Sequence, residues 1–488
     1  MNAIQRSLII LCIFLTACMS VNTKNIMENK SLADTKKHST TGQAYEQVPT
    51  SIKFAQFNVS FAHDGDPSEH FEQWIEFMQL TPSEQQSLIT KWQSDDTDEN
   101  THKLAERVIQ IRNIAAIIQA VRPDVLLLNE FNNDGEGKNY AALEGFQNNY
   151  LAHAQSLNSV DGGELQQAID YPFVQNYATN TGLSSGIDLN NNGFSKNDPN
   201  DAYGFGFYHG HYAFALMSKY EIDTKNTRTF QTFKRKDLPE AVLPTINVCN
   251  GERALPKGME CGDNWFNETQ WQNLRLSSKN HVDAPIIIPT ASGNKFIHAL
   301  LSHPTPPAFD SFADNNKYRN SEENAFWLYY INGANPDFDT TFIYDDNGKT
   351  GGLMDQSFVI MGDLNADAQF RTGLDPRFNG IKRLMENDLV NQSVAQATGT
   401  FAPTSSGGEA APIRRPHPVP ATRTSTFGAR ADYSVPSADL QVIDSGVYWR
   451  AENEAGHLLF TDKRVGERGT DKEISSDHRL VWVSIDLQ

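Results

Sequence analysis

The amino-acid sequence predicts an α/β fold, and three stretches carry this prediction. Residues 52–58 alternate apolar and polar side chains, as a half-buried strand does. Apolar residues recur at helical spacing over 102–120, and the apolar run 125–128 follows almost at once. A second apolar run, 358–361, is long enough for one buried strand and stops at a glycine. A helix that leads into a buried strand is typical of α/β architecture.

The composition is that of an ordinary globular chain with a strongly acidic balance. Of the 488 residues, 39% are hydrophobic and 21% are charged, so a large core can form. The formal charge of −19 comes from 41 basic and 60 acidic residues, which argues against a broad basic face for nucleic acid. A metal-dependent enzyme acting on phosphate esters is still compatible with this charge, because bound cations reverse the local field.

The start of the chain has the pattern of a signal peptide. Arg6 precedes an apolar segment over 8–15, and Leu15-Thr16-Ala17-Cys18 closes it. This tetrad resembles the lipobox of bacterial lipoproteins, which are cleaved before the cysteine and lipidated on it. A plain secretory signal with a chance cysteine is the alternative. We therefore expect a signal peptide at 1–17, export, and a membrane anchor through lipid on Cys18.

The residues after the predicted signal peptide indicate which membrane holds the protein and where the folded domain begins. Met19 and Ser20 come after the cysteine instead of an aspartate, which favours the outer membrane of a Gram-negative bacterium. Residues 18–50 are polar without apolar periodicity and are expected to form a flexible tether, so 51–488 is expected to be the folded domain. No later stretch has enough uninterrupted apolar residues to span a bilayer.

Two cysteines lie in the domain, Cys249 and Cys261, in a segment without helical or strand periodicity. In an exported protein a disulfide between them is the expected arrangement. A zinc pair is the weaker alternative, because no histidine or further cysteine stands nearby at finger spacing.

Polar side chains stand where the predicted strands end. The first strand ends on Asn58, the second is followed by Glu130, and the strand over 358–361 is followed by Asp363 and Asn365. Side chains two apart on an extended segment point the same way, so Asp363 and Asn365 can face one pocket. A carboxylate beside a carboxamide suits a hard cation and a phosphate oxygen, whereas an Asx-rich turn is the alternative for these two residues taken alone.

A second group of oxygen ligands occurs in the segment 188–201, which reads DLNNNGFSKNDPND. Asx residues at alternate positions followed by glycine are typical of a calcium loop. The place of the bidentate glutamate of an EF-hand is taken by Pro199, and a solvated Asn/Gly loop is the alternative. The expected Ca²⁺ ligands are Asp188, Asn190, Asn192, the carbonyl of Phe194, and Asp198 or Asp201.

Five short motifs, QFN, LLLNEF, GDLN, ADY and SSDHR, occur in this order over 52–485. The ordered set resembles the endonuclease/exonuclease/phosphatase superfamily, which includes deoxyribonucleases, sphingomyelinases and inositol phosphatases. The resemblance implies a four-layer α/β sandwich, in which two packed mixed sheets are flanked by helices, and a catalytic domain over 51–488. The additional length is expected in insertions at 61–100, 155–210, 225–283 and 397–428.

The resemblance also implies a catalytic divalent cation, Mg²⁺ or Mn²⁺. Glu130 is the best candidate ligand, and Asn58 and Asp477 are expected beside it. Oxygen donors of these kinds are the ligands that hard cations prefer.

The remaining motif residues are expected to act on the phosphate. By resemblance, Asp363 handles the attacking water or the leaving group and Asn365 holds a phosphate oxygen. His478 is expected to bond Asp432, which fixes the tautomer of the imidazole. His303 is expected opposite His478, donating to phosphate. The resemblance does not decide whether Asp363 or His478 is the general base.

Lys279 and Arg319 are weaker candidates for phosphate contacts, since long basic side chains are more often solvated. We expect an exported divalent-metal phosphoesterase that acts on phosphate mono- or diesters as a monomer. A secreted nuclease with the same site is the alternative, with nucleic acid as substrate only. A surface binding module with a degenerate site is a third possibility, which the retention of Glu130, Asp363 and His478 disfavours.

Overall fold

The fold is described from a computed structural model of the 488-residue chain. The chain divides into two units, Met1–Asp34 and Thr35–Gln488, and every described residue lies in the second. The predicted signal peptide, Cys18 and most of the predicted tether lie outside the described residues. No helix in the described part is long and apolar enough to cross a membrane. The structure describes residues 48–61, 71–94, 98–196, 198–251, 253–310, 312–412, 417–465 and 474–488.

Two mixed sheets form the centre of the described structure. The strands are β1 (Ser51–Asn58), β2 (Val125–Asn129), β3 (Phe173–Asn176), β4 (Phe214–Ser218), β5 (Glu221–Ile222), β6 (Arg228–Thr229), β7 (His281–Thr290), β8 (Gly293–Ser302), β9 (Phe358–Asp363), β10 (Asp432–Pro436), β11 (Val442–Val447) and β12 (Val481–Asp486). The first sheet has the order β11-β12-β1-β2-β4-β3. The second has the order β10-β9-β8-β7-β5, and β6 also pairs with β7.

Each sheet contains one parallel pair of strands. These pairs are β1 with β2 and β8 with β9, and the other described pairs are antiparallel. The two sheets therefore have related arrangements, in which a parallel pair is extended on both sides by antiparallel strands.

Helices flank the two sheets, and the described part of the chain contains nine of them. They are α1 (Phe71–Gln79), α2 (Pro82–Trp92), α3 (Glu99–Val121), α4 (Ala141–Phe146), α5 (Glu268–Asn273), α6 (Asn315–Ile331), α7 (Gly380–Met385), α8 (Gln392–Ala395) and α9 (Ser406–Ala410). A π-helical turn spans Gln147–Leu151, and 3₁₀ turns span Pro199–Asp201, Arg235–Asp237, Arg371–Leu374, Pro420–Thr422 and His457–Leu459. The long helix α3 is capped by Asp98, which accepts from the Thr101 N–H at 3.0 Å, and it ends before Pro123.

Alternation of side chains along β1 shows the order of the layers. Ile52 and Phe54 pack in the core between the two sheets, together with apolar residues of β7, β8 and β9. Ala55 and Phe57 point to the other face, where they pack with α1, α3 and α4. Helices α6 and α7 pack with the second sheet. The predicted four-layer α/β sandwich is confirmed.

The predicted insertions contain more regular structure than their sequence pattern indicates. Strand β3 lies inside 155–210 and extends the first sheet at its edge. Strand β7 begins at His281, inside 225–283, because its polar side chains are buried with partners: Asp283 accepts from the Tyr330 hydroxyl at 2.5 Å and pairs with His298 at 2.6 Å. The predicted loop 397–428 includes the short helix α9. The predicted disulfide between Cys249 and Cys261 is present.

Candidate active site

Strand ends from both sheets bring the motif residues to one end of the sandwich. In the first sheet, Asn58 is the last residue of β1 and Glu130 follows β2. In the second sheet, His303 follows β8 and Asp363 is the last residue of β9. Because both pairs of strands are parallel, their carboxyl ends lie at the same edge of each sheet.

The remaining motif residues arrive from strand starts. Asp432 is the first residue of β10 and is directly opposite Asp363 in the antiparallel register. Asp477 and His478 lie shortly before β12, which runs antiparallel to β1. An antiparallel neighbour begins where its partner ends, so these residues reach the same end of the sandwich.

Asn58 links the two sheets at this end and is fully buried. Its side-chain nitrogen donates to Glu130 Oε1 and to Asp363 Oδ2, both at 3.0 Å. Its side-chain oxygen accepts from the Ser60 N–H at 3.0 Å. A second link joins the sheets, because Asn129 Oδ1 accepts from the Asp363 N–H at 3.2 Å. In this arrangement the Asn58 amide orients two carboxylates, and its service as a metal ligand stays a prediction.

Asp363 stands between two buried histidines. Its Oδ2 atom is 3.5 Å from His303 Nε2 and 3.6 Å from His478 Nε2. Its Oδ1 atom accepts from the Asn365 N–H at 3.0 Å. Burial is the main cause that raises the pKa of Asp363 to about 6, and the Asp432 carboxylate adds to the rise while the charge of His478 opposes it.

The imidazole of His478 is held by a buried carboxylate on its other side. His478 Nδ1 is 2.9 Å from Asp432 Oδ2, as the sequence predicts. Asp432 is fully buried and also accepts from the Thr424 hydroxyl at 2.7 Å and from the Gln56 amide. Burial alone lowers the pKa of His478, but the carboxylates of Asp432 and Asp363 outweigh burial and raise that pKa well above its ordinary value. His478 is therefore an imidazolium at neutral pH.

His303 has the opposite character although it lies at a similar distance from Asp363. Burial lowers the pKa of His303 well below its ordinary value, and the positive charges of Lys279 and His478 lower it further. Its Nδ1 atom has no hydrogen-bond partner among the described residues. His303 is therefore a neutral imidazole at neutral pH.

Glu130 and Asp477 form the part of the site that suits a divalent cation. Glu130 adopts a left-handed backbone with φ of 56°, which turns its side chain out of the line of β2. Burial raises the pKa of Glu130 to about 7, and the negative charge of Asp477 is the next cause. Asp477 accepts from the Ser60 hydroxyl at 2.7 Å. Two repelling carboxylates that are only partly exposed to solvent fit a hard cation, which would supply the missing positive charge.

A second acidic group, Asp363, Asp432 and His478, also has the spacing of a metal site. One ligand atom from each lies within 4.8 Å of the others, and in the described part of the chain no other group of His, Cys, Asp or Glu side chains meets this spacing. Both nitrogens of His478 face carboxylates, and its proton supplies the positive charge that these carboxylates need. The hydrogen-bonded imidazolium therefore belongs to this group, whereas Glu130 and Asp477 could hold a cation without displacing it.

Lys279, a weaker candidate from sequence, lies beside the site. The residue lies two positions before the start of β7, is 6% exposed, and has no hydrogen bond or ion pair to its ammonium from any residue described. Burial lowers the pKa of Lys279, whereas the carboxylates of Glu323, Glu130 and Asp363 raise it, which places the ammonium within electrostatic reach of the site. It is suited to neutralise an anionic substrate.

Arg319, the other weaker candidate from sequence, is bonded mainly to the backbone. Its guanidinium donates to the backbone carbonyls of Leu276 at 2.9 Å, Tyr203 at 2.6 Å and Arg275 at 3.2 Å. These bonds use three of its five N–H groups, and through them the side chain holds the segment before Lys279 in place.

Asn365 lies at the site in a left-handed conformation with φ of 53°. Its side-chain nitrogen donates to the Pro304 carbonyl at 3.1 Å, which fixes the amide next to the segment that carries His303. An amide nitrogen has two hydrogens, so one remains for a phosphate oxygen.

Sequence reasoning missed the residues that support this centre. Gln56 and Thr424 hold Asp432, while Glu323 accepts from the backbone N–H groups of Ser278 and Thr305, both at 2.6 Å. Glu323 thus fixes the segments that carry Lys279 and His303 from its place on α6. These contacts join positions far apart in the chain, so no local pattern indicates them. The predicted calcium ligands Asp188, Asn190, Asn192, Phe194, Asp198 and Asp201 lie in a separate loop.

The fold and the site define a class of protein: a two-sheet α/β sandwich whose end carries carboxylates, histidines and amides suited to phosphate esters. The model of the Endonuclease/Exonuclease/phosphatase family matches residues 55–478. The chain belongs to this family, whose members are hydrolases acting on phosphoesters.

Several solved structures are similar to this chain. The endonuclease/exonuclease/phosphatase from Beutenbergia cavernae has 13% identity and a TM-score of 0.39, covering 90% of this chain and 72% of that one. The protein of the same family from Bacteroides vulgatus has 10% identity and a TM-score of 0.37, covering 90% and 100%. The human Nocturnin catalytic domain with bound sulfate has 11% identity and a TM-score of 0.34, covering 90% and 95%. These scores are too low to carry an argument. No curated protein matches the chain.

Proposed function

We propose that this chain is an exported, divalent-metal-dependent phosphoesterase that hydrolyses phosphate mono- or diesters by metal-assisted attack of water. The observation that carries the proposal is the placement of Asp363. This buried carboxylate has a raised pKa, lies 3.5 and 3.6 Å from two histidines, and shares Asn58 with Glu130. A base, a charged donor and a cation-binding carboxylate are the groups that phosphoester hydrolysis requires.

Glu130 and Asp477, with Asn58 beside them, would hold Mg²⁺ or Mn²⁺, which when bound stabilises negative charge on a phosphoryl oxygen. The identity of the ion is part of the proposal. Oxygen donors fit both ions, and neither cysteine nor a neutral histidine is needed in the ligand set.

The roles of Asp363 and His478 follow from their protonation states. His478 is an imidazolium and has no lone pair with which to accept a proton, so we assign the general base to Asp363. Asp363 takes the proton of the attacking water at its carboxylate, which its pKa of about 6 allows at neutral pH. His478 donates from Nε2 to a phosphate oxygen in the transition state, while Asp432 holds its other nitrogen.

Three further residues would bind the substrate. The Lys279 ammonium supplies positive charge, Asn365 donates one amide hydrogen, and neutral His303 donates from Nε2. These donors surround Asp363, so a phosphate placed there meets hydrogen-bond donors from several directions. Such preorganised donors stabilise charge that develops during the reaction.

We further propose that the mature chain is a monomer anchored by lipid on Cys18 in the outer membrane of a Gram-negative bacterium. The support is the sequence pattern of residues 1–20. Metabolic labelling with a fatty acid tests the anchor. We expect label on the wild-type chain and none on Cys18→Ser, and equal labelling of both would contradict the assignment.

A substrate panel tests the activity. Purified protein is incubated with p-nitrophenyl phosphate, bis-p-nitrophenyl phosphate, sphingomyelin and plasmid DNA, each with Mg²⁺, Mn²⁺ or Ca²⁺ and with chelator. We expect metal-dependent hydrolysis of the small esters or the lipid diester, and none with chelator. Cleavage of DNA alone would support the nuclease alternative, although the formal charge of −19 disfavours it. Failure on every substrate would support a binding module.

The Glu130→Gln variant tests the metal assignment in the same assay. Glutamine retains the size and the contact with Asn58 but loses the charge, so cation affinity should fall. We expect lower activity that a large excess of Mn²⁺ partly restores, and weaker Mn²⁺ binding by calorimetry. Unchanged Mn²⁺ affinity would remove Glu130 from the ligand set.

A further inference from the structure

Besides the proposed active site, the loop over 184–201 holds an excess of negative charge. Asp188, Asp198 and Asp201 lie in this loop, and none has an ion pair with a basic side chain among the described residues. Their charges are instead met by backbone N–H groups and side-chain amides. The loop is therefore a place where a cation could be added without displacing a basic residue.

Asp201 is the most informative of these carboxylates. It is 1% exposed, and its Oδ1 atom accepts from the N–H groups of Leu189 at 2.7 Å and Asn190 at 3.2 Å. Its Oδ2 atom is buried and has no hydrogen-bond partner among the described residues. A buried charged oxygen without a partner is unfavourable, so this atom is the part of the loop that a bound cation would satisfy best.

Asp188 is held within the same loop by backbone donors. Asp188 accepts from the N–H groups of Asn192 at 3.1 Å and Gly193 at 2.8 Å, which folds the segment back over it. The loop is tight at this point, because Gly193 has φ of 91°.

The two asparagine amides now bridge to Asp198. Asn190 and Asn192 donate from Nδ2 to Asp198 Oδ2 at 2.8 and 2.7 Å. A half-turn of each amide would exchange nitrogen and oxygen at these places. Oxygens that share one calcium ion at 2.3–2.6 Å lie about 3 Å apart, which is close to the present spacing of these atoms.

We propose that Asp188, Asn190, Asn192, Asp198 and Asp201, with the carbonyl of Phe194, form a calcium site. Six oxygen ligands with three carboxylates match the number and kind that Ca²⁺ prefers, and because these three carboxylates do not all lie within 4.8 Å of one another, the ion would draw their side chains together. The ligands come from flexible side chains, which suits Ca²⁺ better than the smaller and geometrically stricter Mg²⁺. The unpartnered Asp201 oxygen would gain the ion as its partner.

The site would be structural, because the loop supports a segment next to the proposed active site. The Ser185 N–H donates to the Asp201 carbonyl at 3.1 Å, and shortly beyond Asp201 the Gly204 N–H donates to the Asn180 carbonyl at 3.1 Å. The Asn180 N–H in turn donates to the Lys279 carbonyl at 2.9 Å. Calcium bound in the loop would therefore fix the backbone from Asp201 towards Lys279 without touching the substrate.

The loop is docked against the disulfide-bearing segment. Asn191 donates to the Trp265 carbonyl at 2.8 Å, and Gln270 on α5 donates to Asn191 Oδ1 at 2.9 Å. These contacts hold the loop on the protein independently of an ion. Loss of calcium should loosen the loop and lower the melting temperature without unfolding the whole chain.

The test measures calcium binding by the full chain when the proposed catalytic site no longer contributes to the signal. Glu130→Gln weakens the catalytic site, so calorimetry with CaCl₂ on this variant should show one remaining site. Asp201→Asn retains an acceptor for Leu189 and Asn190 but removes the charge, so the double variant should show no binding. Asp223→Asn is the control, since Asp223 accepts from the Asn226 N–H in a turn outside the loop.

Melting temperatures give a second readout. We expect free Ca²⁺ at about 100 times its Kd to raise the melting temperature by about 3 °C or more in the wild type, Glu130→Gln and Asp223→Asn. Asp201→Asn should show no shift. With chelator present, Asp201→Asn should melt at the same temperature as the wild type. If it melts at a lower temperature, the substitution itself destabilises the protein, and Asp188→Asn, at a more exposed carboxylate, is measured instead. Any of four results would overturn the proposal. These are a Ca²⁺-induced shift that both loop variants retain, a shift that Glu130→Gln loses, no shift in the wild type, or an equal shift with Mg²⁺.

Discussion

The two sheets each bring one buried histidine to Asp363, and the two histidines differ in charge. His303 comes from the second sheet and His478 from the strand start of the first, at 3.5 and 3.6 Å from the same oxygen. His478 has a second carboxylate, Asp432, on its other nitrogen, whereas His303 has no partner on its Nδ1 atom among the described residues. Distance to Asp363 therefore does not decide the charge of a histidine here; the environment of the second nitrogen does.

This difference assigns separate roles within one site. A charged histidine donates to the phosphate and stabilises the transition state, and a neutral one binds and positions. Because a charged His478 cannot accept a proton, Asp363 is left as the general base, which the sequence motifs alone do not decide. The following substitutions test that assignment, in order of decreasing expected effect.

Asp363→Asn should have the largest effect. The amide keeps the shape and can still contact Asn58, but it cannot accept a proton from water. General base catalysis is worth roughly 10²–10⁴-fold, so we expect kcat to fall by about a thousandfold. Asp439→Asn is the matched control, because exposed Asp439 accepts from the Ser357 hydroxyl at the far end of β9 and should retain full activity. Equal losses in both variants would indicate a general defect of folding.

His478→Ala should reduce kcat by at least about a hundredfold, because it removes the charged donor and the partner of Asp432. The substrate panel and a melting curve check this together. Full activity would show that the chemistry lies elsewhere. If the melting temperature collapsed with the activity, His478 would have a structural role instead.

Much of this site could be predicted from the sequence, because strand ends are local features. Apolar runs predict where β1, β2 and β9 end, and the polar residue at each end then follows. The disulfide also follows from local composition and export. What the sequence does not indicate is long-range: Gln56 and Thr424 bond Asp432 from distant positions, and these contacts help to set the charge of His478.

The boundaries of the insertions were harder to predict for a related reason. Strand β7 begins with buried polar residues that have partners on β8 and α6, so its first half lacks an apolar pattern. Edge strand β3 has four residues, too few for a periodicity to be recognised. Arg319 was a candidate for phosphate because it is basic, yet backbone carbonyls use its guanidinium.

The pH dependence of kcat/KM separates the two histidines further. Asp363 must be deprotonated to act as base, so with enough cation to keep Glu130 ionised, activity should be lost as the pH falls through about 6, the pKa of the Asp363 carboxyl. The His478 charge lowers that pKa, so His478→Gln should move the acid limb to higher pH. An acid limb that stays in place after this substitution would show that Asp363 is not the group that titrates.

His303→Gln should give the smallest change. The glutamine amide can still donate towards Asp363 and phosphate, and no charge is removed because His303 is neutral. We expect a loss of about tenfold or less, mostly in KM, with the acid limb unmoved. A loss equal to that of His478→Ala would end the distinction between the two residues.

The most direct test reads the protonation of both histidines by ¹⁵N nuclear magnetic resonance at pH 7.5, with the signals assigned from His478→Gln and His303→Gln. The chain has 13 histidines, so assignment by substitution is practical. We predict that both ring nitrogens of His478 have the shifts of an imidazolium and that those of His303 have the shifts of a neutral ring. A neutral His478 beside a charged His303 would contradict the account, because Asp363 would then lose its claim to be the base.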